Sequence, residues 1–106
     1  MTDDVGRWSD PTLVVLASLA DGPKHGYAII QDVAAQTGLQ LGPGTLYGAI
    51  GRLEERGLIE ALPPEQRRRP YRLTAAGEQV LADTARLMRQ VADLGLSRLA
   101  AAKGMA

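Results

Sequence analysis

The segment Arg56-Gly57-Leu58 divides the sequence into two patterns and constrains the fold more than any other feature. Before it, apolar residues up to Leu53 recur at helical spacing. A glycine followed by an apolar residue is typical of a Schellman stop, in which Gly57 adopts the left-handed conformation and Leu58 folds back on Leu53. After it come apolar runs that are too short for helices. The chain is therefore predicted to change from helix to strand at this point.

Two further helices are predicted before this boundary. Asp10-Pro11 joins a capping residue to the residue favoured at the first helical position, and this helix should stop at Asp21-Gly22-Pro23. Apolar spacing predicts a second helix from about His25 to Thr37, with Gly38 as its C-terminal glycine. Gly42-Pro43 then opens the third helix, which ends at the stop.

Beyond the boundary, the runs Leu58–Leu62 and Pro70–Leu73 flank a loop rich in Pro, Glu and Arg. They predict a β-hairpin that must pack against the helices, because two strands alone are marginally stable in water. Proline cannot donate to a strand ladder, so Pro63-Pro64 and Pro70 place the hairpin at a sheet edge.

A last helix is predicted from the cap Thr74 to about Ala101. Its apolar face covers roughly half the circumference, more than the ~100° that a helix packed on one side needs. Two stripes share this face: one is Val80, Thr84, Leu87, Val91 and Leu94, and the other is Leu81, Ala85, Met88, Ala92 and Leu99. One stripe can face this chain's own core and the other a partner chain, with interface positions Leu81, Leu87, Met88, Val91, Leu94 and Leu99.

These elements predict a mainly α fold with a small β-hairpin, a winged helix-turn-helix followed by a long dimerisation helix. A length of 106 residues fits one domain. The expected divisions are an N-terminal arm at 1–9, the winged helix-turn-helix at 10–74, the dimerisation helix at 75–102 and a flexible tail at 103–106.

Composition excludes several kinds of chemistry. The chain has no Cys and one His, which leaves no thiolate or His-rich metal site, and we expect no cofactor and no enzymatic activity. The longest apolar run, Leu13 to Ala17, is far shorter than a membrane span, so no membrane partner and a cytoplasmic location are expected. Net charge is zero, but residues 42–73 hold six Arg against four Glu.

That local basic patch and the third helix suggest double-stranded DNA as the partner. In winged helix-turn-helix proteins the third helix enters the major groove, while the hairpin, or wing, reaches the DNA backbone or the minor groove. The predicted DNA contacts are Lys24, His25, Gly44, Thr45, Tyr47, Gly48, Arg52, Arg67, Arg68 and Arg69. Structural alternatives are a half-buried Tyr47, a helix-start role for His25 and a solvated arginine loop. Tyr27 is expected to be mostly a packing residue, wedged between helices with its hydroxyl at the surface.

The motifs His25-Gly26-Tyr27, Gly44-Thr45-Leu46-Tyr47, Arg52-Leu53-Glu54, Gly57-Leu58-Ile59 and Tyr71-Arg72-Leu73-Thr74 resemble those of the PadR family of transcriptional regulators. The resemblance is to the short subfamily with one C-terminal helix. It implies a homodimeric repressor that binds an inverted-repeat operator and is sometimes released by a small aromatic effector. The alternative is a winged-helix protein–protein interaction module without sequence-specific DNA binding.

Overall fold

The computed structural model describes residues 10–104. The predicted N-terminal arm, residues 1–9, lies outside the described residues. The predicted tail is described only at Lys103 and Gly104, which form a turn at the end of the last helix. No helix in the described part of the chain is long and apolar enough to cross a membrane.

The first helix, α1 (Pro11–Ser18), begins where the sequence predicts. The carboxylate of Asp10 accepts hydrogen bonds from the Thr12 hydroxyl and from the Thr12 backbone N–H, at 2.6 and 2.9 Å. The hydroxyl bond is the main reason that the pKa of Asp10 lies below its ordinary value, and the charges of Arg52 and Arg56 lower it further. A 3₁₀ turn at Leu19–Asp21 follows α1.

Helices α2 (Gly26–Thr37) and α3 (Pro43–Glu55) follow at the predicted positions. Gly38 ends α2 in the left-handed region, with a φ of 78°. The predicted stop after α3 is confirmed in detail. Gly57 has a φ of 71°, its N–H bonds to the Glu54 carbonyl, and the Leu58 N–H bonds to the Leu53 carbonyl, both at 3.0 Å. These two bonds define a Schellman motif.

The strands form a three-stranded antiparallel sheet in the order β1-β3-β2, where β1 is Lys24–His25, β2 is Ile59–Ala61 and β3 is Pro70–Leu73. The expectation that the prolines keep the hairpin at an edge is wrong for Pro70, because β3 is the central strand. Pro70 is the first residue of its strand, where proline is tolerated, and its carbonyl still accepts from the Leu62 N–H at 2.8 Å. The two-residue β1 was not predicted.

The core is aliphatic and is shared by the three short helices and β2. Its buried residues are Val15, Leu16, Leu19, Ile29, Val33, Leu46, Ala49, Ile50, Leu53 and Ile59. Buried Ser18 is satisfied by donating to the Asp32 carboxylate at 2.6 Å, which ties α1 to α2. The third helix supplies four of the ten core residues, so its position is set by the core.

The last helix, α4 (Ala75–Ala102), is about 42 Å long at 1.5 Å per residue. Thr74 caps it as predicted: its hydroxyl accepts from the Gly77 N–H at 3.1 Å and donates to the Gly57 carbonyl at 2.7 Å. The Thr74 N–H bonds to the Leu58 carbonyl at 3.1 Å. The start of α4 is thereby fastened to the turn that ends α3.

Neither apolar stripe of α4 packs fully on this chain's own core. Leu81, predicted at the dimer interface, packs partly against the core, and Thr84 is half-buried. Beyond these first turns the apolar side chains of both stripes are exposed, because α4 extends past the end of the winged domain. The exposed large residues are Leu87, Met88, Val91, Leu94, Leu96 and Leu99.

The joint between α3 and α4 depends on a glycine. A Cβ atom on Gly77 would lie 1.9 Å from the Leu58 carbonyl oxygen, and no side-chain rotation relieves a clash with backbone. We expect Gly77→Ala to destabilise the fold by about 1–3 kcal/mol, the usual range for overpacking. Chemical denaturation measures this. The control is Gly51→Ala, where a Cβ meets nothing within 4 Å and alanine should stabilise the helix. Equal changes in the free energy of unfolding for the two substitutions would contradict this packing role of Gly77.

Candidate nucleic-acid interface

Helix α3 has one buried face and one exposed face. Leu46, Ala49, Ile50 and Leu53 are buried in the core. The opposite face carries the residues predicted to contact DNA, all of them exposed: Gly44, Thr45, Tyr47, Gly48 and Arg52. Because glycine has no side chain, the backbone is uncovered between the larger side chains of this face. The face therefore carries polar groups on a helix whose backbone can approach another surface closely.

A cavity of about 270 Å³ lies beside this face, between the start of α2 and the wing. It brings together residues from three parts of the sequence: His25, Gly26, Tyr27, Tyr47, Arg67, Arg68, Arg69 and Tyr71. Tyr47 is half-exposed, and its hydroxyl end lies against Gly26. The lining thus brings tyrosines of α2, α3 and β3 together with the arginines of the wing beside α3.

The wing tip is a tight turn closed by two backbone hydrogen bonds between Glu65 and Arg68, at 2.7 and 2.8 Å. Its two central residues, Gln66 and Arg67, have φ values of 49° and 69°. Hairpin turns with two positive φ values favour Asn and Gly, so Gln and Arg here carry backbone strain. The turn directs the chain so that the arginine run lies at the outer end of the sheet.

The three wing arginines do not share one environment. Arg69 donates to the Leu62 carbonyl at 3.0 Å and so holds the base of the wing. A guanidinium nitrogen of Arg68 lies 3.1 Å from Nε2 of His25. The Arg67 side chain makes no hydrogen bond or ion pair within residues 10–104. Among the described residues, Arg67 is therefore the member of the run whose guanidinium group has no partner.

His25 has the helix-start role that the sequence left open. It is the N-cap of α2, and its Nδ1 accepts from the Ala28 N–H at 3.3 Å. A neutral imidazole has only one acceptor nitrogen, so this cap competes with the contact from the Arg68 guanidinium, which can only donate. A neutral His25 ring therefore cannot accept both hydrogen bonds at once, and its predicted contact with DNA stays a prediction.

Lys24 is placed differently from the other predicted contacts. Its ammonium group donates to the Ser18 carbonyl and to the Asp21 carboxylate, and its side chain is only 18% exposed. The hydrogen bond from Lys24 lowers the pKa of Asp21 below its ordinary value. The Lys24 charge is therefore already paired, and its predicted contact with DNA stays a prediction.

Comparison with known proteins gives the family. Residues 15–83 match the transcriptional regulator PadR-like family. The chain belongs to this family. A transcriptional regulator of Mycobacterium tuberculosis is 36% identical over 86 residues, which cover 76% of this chain and 77% of that protein. An uncharacterized transposon protein of Streptomyces fradiae is 45% identical over 85 residues, 80% of this chain but only 25% of that protein's length.

Solved structures of PadR family proteins have the same fold. A PadR family transcriptional regulator from Eggerthella lenta has a TM-score of 0.77 and 28% identity, covering 93% of this chain and 88% of that one. Bacillus subtilis PadR, solved in complex with operator DNA, has a TM-score of 0.65 and 24% identity, covering 70% of this chain and 45% of that one. The predicted winged helix-turn-helix with a long C-terminal helix is confirmed.

Two tyrosines of this PadR-like domain show what sequence reasoning missed. The expectation that Tyr27 is wedged between helices is wrong: it is 60% exposed and lines the cavity. Tyr71 is not among the predicted DNA contacts, yet it lies in the central strand opposite Lys24 and Ala61 and lines the cavity. Burial, with a smaller effect of Glu54, raises the pKa of Tyr71 above its ordinary value, so at neutral pH its hydroxyl is protonated and can donate.

Proposed function

We propose that this PadR-like regulator is a DNA-binding repressor that acts as a homodimer on an inverted-repeat operator. The observation that carries the proposal is the exposed face of α3, on which Thr45, Tyr47 and Arg52 lie outside the core. Tyr47 lines the same cavity as the arginines of the wing. A face of this kind fits the major groove, where hydroxyls and guanidinium groups read base edges. The operator complex of Bacillus subtilis PadR supports this use of the fold.

The wing supports a phosphate contact. Arg67 sits in a strained left-handed conformation that glycine would adopt without cost. Strained backbone clusters at functional sites, where a particular side chain is worth the strain. Its guanidinium group is unpaired among residues 10–104 and lies at the cavity beside α3. We assign Arg67 to the DNA backbone, and Arg68 and Arg69 to holding the wing in place.

The long helix supports the dimer. Leu87, Met88, Val91 and Leu94 are each at least half exposed, on a helix that extends past the domain. An exposed apolar stripe at three- and four-residue steps is typical of a helix that packs on another helix. Two copies joined through α4 would present two α3 helices related by two-fold symmetry. That arrangement matches an inverted repeat.

The second candidate is a protein–protein interaction module, which the zero net charge and the same exposed apolar helix favour. It differs from the leading proposal in requiring no DNA sequence preference. The small aromatic effector and the cytoplasmic location stay predictions.

Tyr47 tests the proposed recognition face. We expect Tyr47→Ala to weaken binding to the duplex that the wild-type protein selects from a random-sequence pool by about 1–3 kcal/mol, the value of a base contact. Binding to random DNA should change little. Tyr47→Phe is the matched variant and separates the hydroxyl from the ring. Mobility shifts with labelled duplexes give the affinities. If Tyr47→Ala binds the selected duplex as tightly as wild type, the recognition assignment fails; if no sequence is enriched, the interaction module is favoured.

Arg67 tests the wing contact. Each neutralised phosphate adds about 0.9 to the slope of log affinity against log salt, so Arg67→Ala in both wings of a dimer should lower the slope by about 1.8. Sequence preference should be retained, because phosphates carry no sequence information. Titration at several salt concentrations measures the slope. Arg89→Ala removes the same charge from α4 and should leave the slope unchanged. An unaltered slope in Arg67→Ala would mean that the wing tip is a solvated loop.

The dimer proposal is tested by placing charge on the apolar face of α4. Leu87→Glu/Val91→Glu should give monomers or insoluble protein, because association would bury unpaired charges. Analytical ultracentrifugation at tens of micromolar reports the assembly state. Gln90→Glu/Ser97→Glu adds the same charge at polar positions of α4 and should remain dimeric. A wild-type protein that sediments as a monomer would overturn the proposal.

A further inference from the structure

We propose that Gly26 is a positioning residue that fixes the ring of Tyr47 for DNA recognition. The inference rests on the proposed function and adds to it a residue that touches no DNA. A Cβ atom on Gly26 would lie 2.4 Å from the Tyr47 hydroxyl oxygen and 2.8 Å from Cζ of the same ring. Both distances are shorter than those that Cβ atoms show in proteins. The ring occupies its position only because residue 26 has no side chain.

The backbone does not require a glycine here. Gly26 is the first residue of α2, and it is not among the glycines with positive φ. Alanine is a better helix former than glycine, so the helix does not call for glycine at this position. The feature that a side chain at residue 26 would disturb is the close approach of the Tyr47 ring.

The contact joins two helices that must be correctly placed for recognition. Tyr47 projects from the exposed face of α3, and its hydroxyl end rests on the start of α2. A methyl group at residue 26 would drive the ring away from α2 and change its position beside the wing. The other nearby atom, Cδ2 of the buried Leu46, would lie 3.2 Å from the Cβ, so this side chain would have to give by a few tenths of an ångström. The two closest contacts of a side chain at residue 26 are both with Tyr47.

A double-mutant cycle tests this. The four proteins are wild type, Gly26→Ala, Tyr47→Ala and the double variant, with mobility shifts on the duplex that wild type selects from a random pool and on random duplex. Tyr47→Ala should weaken selective binding about 5- to 150-fold. Gly26→Ala should weaken it about 3- to 10-fold, with binding to random DNA retained. In the Tyr47→Ala background, Gly26→Ala should change affinity less than twofold, because no ring is left to displace.

The outcomes separate this inference from the proposed function. If Tyr47→Ala weakens selective binding while Gly26→Ala does not, the role of Gly26 is overturned and the recognition face stands. A further loss from Gly26→Ala in the Tyr47→Ala background would show that it acts on another part of the fold, which also overturns the role. If Tyr47→Ala has no effect, both fail. Should Gly26→Ala not fold, recovery of folding by Tyr47→Ala supports the inference, and failure of the double variant to fold contradicts it.

Discussion

The rest of the structure depends on the burial of one face of α3. Leu46, Ile50 and Leu53 are at most 2% exposed, and full burial of such side chains is worth about 1.5–3 kcal/mol each. This burial fixes the rotation of α3 about its own axis. The rotation in turn decides which residues remain outside, and these include Thr45, Tyr47 and Arg52. The proposed DNA-binding face is therefore the side of α3 that the core leaves exposed.

Backbone contacts then fix the neighbouring elements to α3. The Schellman turn at Gly57 ends the helix and supplies the carbonyls that Thr74 uses to start α4. The central strand β3 pairs with β2 on one side and with β1 on the other, so the wing is attached to the start of α2 as well as to the end of α3. In the proposed dimer, these backbone contacts would fix the position of each α3 helix relative to the paired α4 helices.

Features with local causes could be predicted from the sequence. The Asp10 and Thr74 caps, the left-handed Gly38 and Gly57, and the starts of the helices follow from neighbouring residues in the chain, and the C-terminal end of α4 is predicted to within a residue. The first helix is the exception at its end, because the expected stop at Asp21-Gly22-Pro23 is reached through a 3₁₀ turn that follows Ser18. Features set by contacts between distant segments could not. A two-residue strand such as β1 has no periodicity, and its place in the sheet depends on pairing with the distant β3. The different environments of Arg67, Arg68 and Arg69 likewise arise only from the folded wing.

In the proposed complex, the exposed face of α3 enters the major groove. Protection of guanine N7 from dimethyl sulfate tests this placement most directly, because N7 lies in the major groove. On the duplex that the protein selects, we expect two groups of protected guanines related by two-fold symmetry, with centres one helical turn apart, about 34–36 Å. Tight binding with every guanine N7 still reactive, on a selected site that contains guanines in both half-sites, would contradict it.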